Sequence, residues 1–293
     1  MKGSLQRLAL TAAIALLSPA VHADELRGTR PSSVTRPLSD VPNSGAIIPR
    51  IWAPQLDDGF VPQGLSFANG HLLLSSYRST DPKQGRGPCR LFVIAPATGA
   101  VSHHVDLPES CGHAGGVAAL ADGRIVVADT HAIYEIKGGK VTATVNLKGK
   151  LRGSYADADG NALWIGSYDK NGGSLWQLPP DVFSLSEVDE SHATKNLTIP
   201  ARVQGLLFDG KGHGWMTVSG SRDGALLKFN PDDGHVIASY PMPAGIEADV
   251  INGLYRIGEH RPKKSTGFVR LLGSGTILPQ VIEAARLLET EWD

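Results

Sequence analysis

Short apolar runs bounded by Gly, Asp, Asn and Pro make up most of the chain. Several of these runs are joined by Asn-Gly or Asp-Gly, dipeptides that accept the positive φ of tight hairpin turns. Runs of this length with this punctuation predict β-strands connected by short turns. The pattern therefore predicts an all-β protein.

The predicted strand pairs recur in a fixed order. A glycine precedes an apolar strand at Gly64, Gly116, Gly153 and Gly205, and more weakly at Gly253, with spacings of 52, 37, 52 and 48 residues. A third and a fourth run follow each of the first four pairs, so the repeat holds four strands. A four-stranded unit with a period of about 40–50 residues is typical of a β-propeller blade, although turn dipeptides in a β-sandwich could also produce it.

The repeat divides the chain into blades. Counting first strands predicts five blades, or six if residues 258–280 contain another. Residues 250–276 form an incomplete blade, which we expect the strand at 46–52 to complete, because a propeller must hide the edges of its end blades. Residues 280–291 have apolar positions on one helical face and predict a C-terminal helix. We expect 46–293 to be one propeller domain with this helix.

The N-terminus has the features of an export signal. Two basic residues precede the apolar run Leu8–Leu17, and the small residues Val21 and Ala23 fit a cleavage site. The run is too short to span a bilayer, so we expect no membrane span after cleavage of 1–23. The segment 24–45 is rich in Pro, Ser and Arg and is expected to be extended. The sequence thus predicts a periplasmic or secreted protein.

Composition excludes several classes of function. The chain has 28 basic and 29 acidic residues, so it has no basic excess with which to bind nucleic acid. Hydrophobic residues make up 41%, enough for a core. We expect a monomer that binds a small molecule or a protein.

The two cysteines are predicted to form a disulfide. Cys89 opens the third strand of the first blade and Cys111 follows its fourth strand. The third strand leaves one face of the propeller and the fourth returns to it, so both sulfurs belong on that face. Export would bring them to an oxidising compartment. The alternative is two unpaired buried thiols.

Strand direction also predicts on which face of the propeller each polar residue lies. Because neighbouring strands in a blade alternate in direction, the starts of the innermost strands and the loops between second and third strands share one face. We call this face the mouth. The candidate ligand-binding residues on it are Gln63, Tyr77, His113, Asp129, His131, Arg152, Tyr168, Gln204 and Asn252.

Each candidate also has a structural interpretation. The amides of Gln63, Gln204 and Asn252 could bond backbone groups where blades meet. Asp129 and His131 could cap a turn, and the two tyrosines could pack at equivalent strand ends. His113 is flanked by small residues that would expose its imidazole, and it is the strongest functional candidate.

The repeated small-Gly-apolar strand, Asp-Gly turn and second strand resemble the propellers of the gluconolactonase, senescence-marker-protein and NHL-type superfamily. The resemblance covers about residues 46–275 and is one of repeat style. It implies a calcium-dependent lactonase with acidic and amide ligands at the mouth. This chain departs from that pattern, because Pro62-Gln63-Gly64 stands where that group has Glu before Gly-Pro. Asp129 and Asp249 could supply the carboxylates that calcium prefers.

Three functions remain open from sequence. The first is a propeller that binds a small molecule or protein at its mouth, with no evident cofactor. The second is a calcium-dependent lactonase or esterase, for which Asp129, Asp249 and His113 would have to cluster. The third is a quinoprotein dehydrogenase, for which Arg152 alone supplies little of the basic ring required. No G-x-S-x-G, H-E-x-x-H or Walker motif is present.

The export signal leads to a direct prediction. Expressed with its own leader, the protein should be cleaved after Ala23 and begin at Asp24. N-terminal sequencing of the exported form checks this. An exported chain that still begins at Met1 would refute it.

Overall fold

The computed structural model describes residues 26–34, 50–79, 87–219 and 224–242. Regular structure in these ranges consists of nineteen β-strands and two short 3-10 helices, Val182–Ser184 and Glu190–His192. In the ranges described, no helix has the length and apolar character needed to cross a membrane. The all-β prediction is confirmed.

Four antiparallel sheets carry the repeat. The first blade consists of β3 (Phe60–Ala68), β4 (His71–Arg78), β5 (Cys89–Ile94) and β6 (Val101–Asp106). The second consists of β7 (Gly116–Ala119), β8 (Ile125–Asp129), β9 (Ala132–Lys137) and β10 (Lys140–Leu147). The third consists of β11 (Tyr155–Asp159), β12 (Ala162–Gly166), β13 (Gly173–Leu178) and β15 (Lys195–Ile199). The fourth consists of β16 (Val203–Phe208), β17 (Gly214–Ser219), β18 (Gly224–Phe229) and β19 (Val236–Met242).

The innermost strands pack side by side in the order β3, β7, β11 and β16. This is the propeller arrangement that the repeat predicts. Within the part of the chain that the structure describes, no comparable packing joins β16 back to β3, so these four blades do not close a ring by themselves. The predicted fifth blade at 250–276 and the helix at 280–291 lie outside the described residues.

Glycines let the innermost strands approach each other closely. A Cβ on Gly116 of β7 would lie 2.2 Å from the backbone nitrogen of Ala156 in β11. A Cβ on Gly64 of β3 would lie 2.8 Å from Cα of Gly116. Such distances exclude any side chain, which explains why a glycine marks these two repeat starts.

Large side chains fill the wider space between blades. Trp176 and Ile165 of the third blade are buried with Val126 of the second. Trp164 of the third blade packs on Phe208 of the fourth, with ring centroids 5.3 Å apart. Each blade thus buries its apolar face on the next, and the core is divided among these interfaces.

Part of the strand predicted at 46–52 lies among the described residues, and its closing of the ring stays a prediction. Its described part, β2 (Arg50–Ile51), pairs in parallel with β1 (Leu26–Arg27). Ile51 packs on the first blade, against the cluster that contains Leu74 and Phe92. On the inner strand of that blade, Leu65 and Phe67 are 56% and 47% exposed. They alternate with Gly64, which faces the second blade, so they point away from it.

Besides β1, one other strand was not predicted. β14 (Glu187–Val188) lies in the chain between β13 and β15 of the third blade, yet it pairs in parallel with β10 of the second blade. Val188 is buried in the core between these two blades. The second sheet therefore has five strands.

A buried carboxyl group links the third and fourth blades. Asp157 lies on β11, and its Oδ2 accepts a hydrogen bond of 2.8 Å from the backbone nitrogen of Phe208 on β16. Burial of this carboxyl group raises the pKa of Asp157 to about 7, despite backbone N–H groups that favour the charged form. The nearby charge of Asp159 also raises it.

This pKa makes stability depend on pH in a defined direction. The folded state holds the proton up to about pH 7, whereas an ordinary aspartate releases it near pH 3.8. The contribution of Asp157 to the free energy of unfolding therefore falls as pH rises between these values, by up to about 1.4 kcal/mol per pH unit.

We expect Asp157→Asn, which cannot ionise, to lack this decrease. Urea denaturation at pH 5 and pH 8 should show the free energy of unfolding of the wild type falling relative to that of the variant. The exposed Asp181 has no side-chain capping bond, so Asp181→Asn is the control and should keep the wild-type profile. If the free energies of unfolding of the wild type and Asp157→Asn differ by the same amount at both pH values, the raised pKa of Asp157 is contradicted.

Candidate functional site

The mouth of the second blade is organised by one carboxylate. Asp129 ends β8 and is only 5% exposed. Its Oδ1 accepts hydrogen bonds from the backbone nitrogens of His113 at 2.6 Å and Gly112 at 3.2 Å. Its Oδ2 accepts a longer bond of 3.3 Å from the backbone nitrogen of His131. Asp129 therefore holds the loop that carries His113.

The predicted disulfide between Cys89 and Cys111 is present. Their Cα atoms are 5.7 Å apart, and each residue is 1% exposed. The bridge ties the start of β5 to the same loop that Asp129 holds. Cys111, Gly112 and His113 are thus fixed by a covalent bond on one side and hydrogen bonds on the other.

A third contact holds the loop from strand β4 of the first blade. The hydroxyl of Ser75 on β4 donates to the carbonyl of Ala114 at 2.7 Å and accepts from the backbone nitrogen of Gly64 at 3.0 Å. Ser75 is fully buried. This hydroxyl links two strands of the first blade to the segment that enters the second.

Two aromatic rings meet on this rigid base. The rings of Tyr77 and His113 have centroids 5.1 Å apart and are tilted by 35°. Both residues are half-buried. Tyr77 pairs with Cys89 across the β4–β5 ladder, so the disulfide supports both rings. We call Tyr77, Cys89, Cys111, His113 and Asp129 the mouth cluster.

The other predicted residues have local contacts instead. Gln63 donates to the carbonyl of its neighbour Pro62, and Gln204 donates to the hydroxyl of Ser219. The guanidinium of Arg152 turns back and donates to the carbonyls of Gly149 and Leu151 at 3.0 and 2.6 Å. Tyr168 and His131 are exposed. Asn252 and Asp249 lie outside the described residues.

Two residues of this face were missed from sequence. Ser75 sits inside an apolar strand, and nothing in the pattern marks it as a linker. Arg202 precedes β16 with φ of 63°, and its backbone nitrogen donates to the carbonyl of Asp169 at 2.7 Å. A positive φ at a non-glycine residue leaves no sequence signal.

The cluster does not have the donors that calcium needs. Calcium takes six to eight oxygen ligands, whereas the cluster offers a single carboxylate, whose Oδ1 already accepts two backbone hydrogen bonds. In the described ranges, the one group with metal-ligand spacing is Cys89, Cys111 and Asp129, whose sulfurs are joined.

Comparison with known proteins identifies no family for this chain. No family model matches the chain. A stretch of 51 residues is 45% identical to the pyruvate dehydrogenase E1 component of Cupriavidus necator and 47% identical to that of Pseudomonas aeruginosa. The stretch is 17% of this chain and spans only 6% of the length of those proteins. It therefore carries nothing about the propeller.

Solved structures with a similar arrangement include propellers of several kinds. Glutaminyl cyclase from Myxococcus xanthus aligns with a TM-score of 0.49 and 17% identity, over 68% of this chain and 77% of that one. A protein named as a gluconolactonase aligns with a TM-score of 0.36 and 22% identity, over 54% of this chain and 55% of that one. Scores this low carry no functional argument. The chain is a β-propeller protein because its own four blades show it.

The disulfide gives the next prediction. Replacing both cysteines, Cys89→Ser with Cys111→Ser, should lower the free energy of unfolding by about 3 kcal/mol, because a bridge across 22 residues restricts the unfolded chain. Urea denaturation measures the loss. The wild type in reductant should unfold at the same midpoint as the double variant. A loss below about 1 kcal/mol would show that the bridge does not hold the loop.

Proposed function

We propose that this protein is an exported β-propeller that binds a small molecule at its mouth, with Tyr77 and His113 as the contact surface. The observation that carries the proposal is the pair of rings, 5.1 Å apart, with Tyr77 on β4 and His113 on a loop held by Cys111, Asp129 and Ser75. A surface that is rigid before binding loses little entropy when a ligand arrives.

The chemistry left open at the mouth favours a neutral ligand rich in hydroxyl groups. The charge of Asp129 is taken up by backbone N–H groups, and that of Arg152 faces two carbonyls. Exposed amides remain at Gln63 and Gln204, together with the aromatic rings. Amides both donate to and accept from hydroxyls, and ring faces pack on apolar C–H groups. A sugar or sugar lactone has this combination.

Export is part of the proposal. Its support is the disulfide, since such bonds persist in oxidising compartments such as the periplasm or the cell exterior. The proposal also includes a ring of five blades, in which a further blade packs against the first. The support for closure is the exposed pair Leu65 and Phe67 on the inner strand of that blade, which a further blade would cover.

The alternative is a calcium-dependent lactonase. It requires six to eight oxygen ligands, of which the mouth cluster supplies one carboxylate, and the second carboxylate of that hypothesis, Asp249, lies outside the described residues. The binding function requires neither, so we place it first. Both functions share a ligand class, which lets one experiment separate them.

Isothermal titration calorimetry with D-glucose and with glucono-δ-lactone tests the proposal. We expect saturable binding of at least one of them to the mature protein, and at least about tenfold weaker binding to His113→Ala, a loss of about 1.4 kcal/mol. His103→Ala is the matched control, because His103 is an exposed histidine on β6. It should bind as the wild type does.

The other outcomes are decisive. Lactone hydrolysis that requires added calcium would establish the lactonase instead. Binding of neither probe would overturn the ligand class, and equal binding to both variants would place the site elsewhere. His113→Ala should change Tm by no more than about 2 °C; a larger fall would identify a structural histidine.

A further inference from the structure

The mouth cluster contains a set of metal-binding atoms that the disulfide conceals. The two sulfurs and a carboxylate oxygen of Asp129 all lie within 4.8 Å of one another. All three residues are buried, Cys89 and Cys111 at 1% exposure and Asp129 at 5%. Three atoms of these types at this spacing can share one ion once the sulfurs are separate thiolates.

The ligand types select the ion. Thiolates are soft ligands that bind zinc strongly, and zinc accepts a mixture of sulfur and carboxylate oxygen in a tetrahedral arrangement. Calcium and magnesium prefer oxygen alone and are excluded by the two sulfurs. Three protein ligands leave the fourth zinc position open to water.

Asp129 can supply its oxygen while it keeps holding the loop. Its Oδ1 accepts two backbone hydrogen bonds, but Oδ2 accepts only the longer bond of 3.3 Å from His131. An oxygen with one long bond retains a lone pair for a metal. Once the S–S bond is broken, rotation of the two cysteine side chains would bring both sulfurs and Oδ2 around one ion.

We propose that the reduced chain binds one zinc ion through Cys89, Cys111 and Asp129, so that these residues form a disulfide under oxidising conditions and a zinc site under reducing conditions. The proposal does not depend on ligand binding at Tyr77 and His113. It concerns the same loop, which zinc would hold in place of the covalent bond.

The redox step balances with a phosphine reductant. The phosphorus attacks one sulfur and the S–S bond breaks; water then supplies the oxygen of the phosphine oxide, and its two protons leave both sulfurs as thiols. Zinc displaces those protons to solvent when the two Zn–S bonds form. In a cell, a dithiol would supply the same two electrons and two protons and become a disulfide itself.

The test uses the mature chain, unfolded with a phosphine reductant and refolded with or without zinc sulfate. We expect about one zinc per reduced chain and none in the oxidised chain, and a higher Tm of the reduced chain with zinc. Cobalt in place of zinc should give the sulfur-to-cobalt charge-transfer absorption of two thiolates.

Variants assign the ligands. Cys89→Ser should remove at least half of the cobalt charge-transfer intensity, and Asp129→Asn should weaken zinc binding at least about tenfold. Asp122→Asn, which alters an exposed carboxylate on a turn away from the mouth, should bind zinc as the wild type does. If a variant fails to refold, cobalt absorption of the reduced wild type still decides. Absence of that absorption, or zinc bound equally by the oxidised chain, overturns the proposal.

Discussion

The close approach of the innermost strands is the constraint on which the rest of the structure depends. No side chain fits where β7 meets β11, because a Cβ on Gly116 would lie 2.2 Å from the backbone of Ala156. The neighbouring Gly115 is equally confined, with its Cβ position 2.3 Å from the carbonyl oxygen of Ser154. His113 lies two residues before Gly115, with Ala114 between them. The position of His113 at the mouth is therefore set by the two positions that must be glycine.

Much of the fold could be predicted because strand periodicity and turn chemistry are local. The order of strands in four blades followed from apolar runs and Asp-Gly turns, and the disulfide followed from strand direction. β14 could not be predicted, since Glu187–Val188 has only two residues and its partner lies in another blade. The pairing of Arg50–Ile51 with Leu26–Arg27 was missed for the same reason.

The site could be predicted as a location and not as a set of contacts. Strand direction brought Tyr77, His113 and Asp129 to one face, where the structure places them together. The local bonds of Gln63, Gln204 and Arg152 depend on side-chain rotamers, which strand patterns do not encode. The role of all these residues in ligand binding stays a prediction.

β14 also changes how the molecule can open. In repeat architectures each unit contacts only its neighbours, so stability is approximately a sum of the stabilities of the units and of the interfaces between them. Here a segment from the chain of the third blade also bonds to the second blade through its backbone. The backbone nitrogen of Asn146 donates to the carbonyl of Ser186 at 2.9 Å, and that of Lys148 donates to the carbonyl of Val188 at 2.7 Å. Unfolding of either blade therefore breaks the pairing of β14 with β10. Opening of the two blades should be coupled in amide hydrogen exchange.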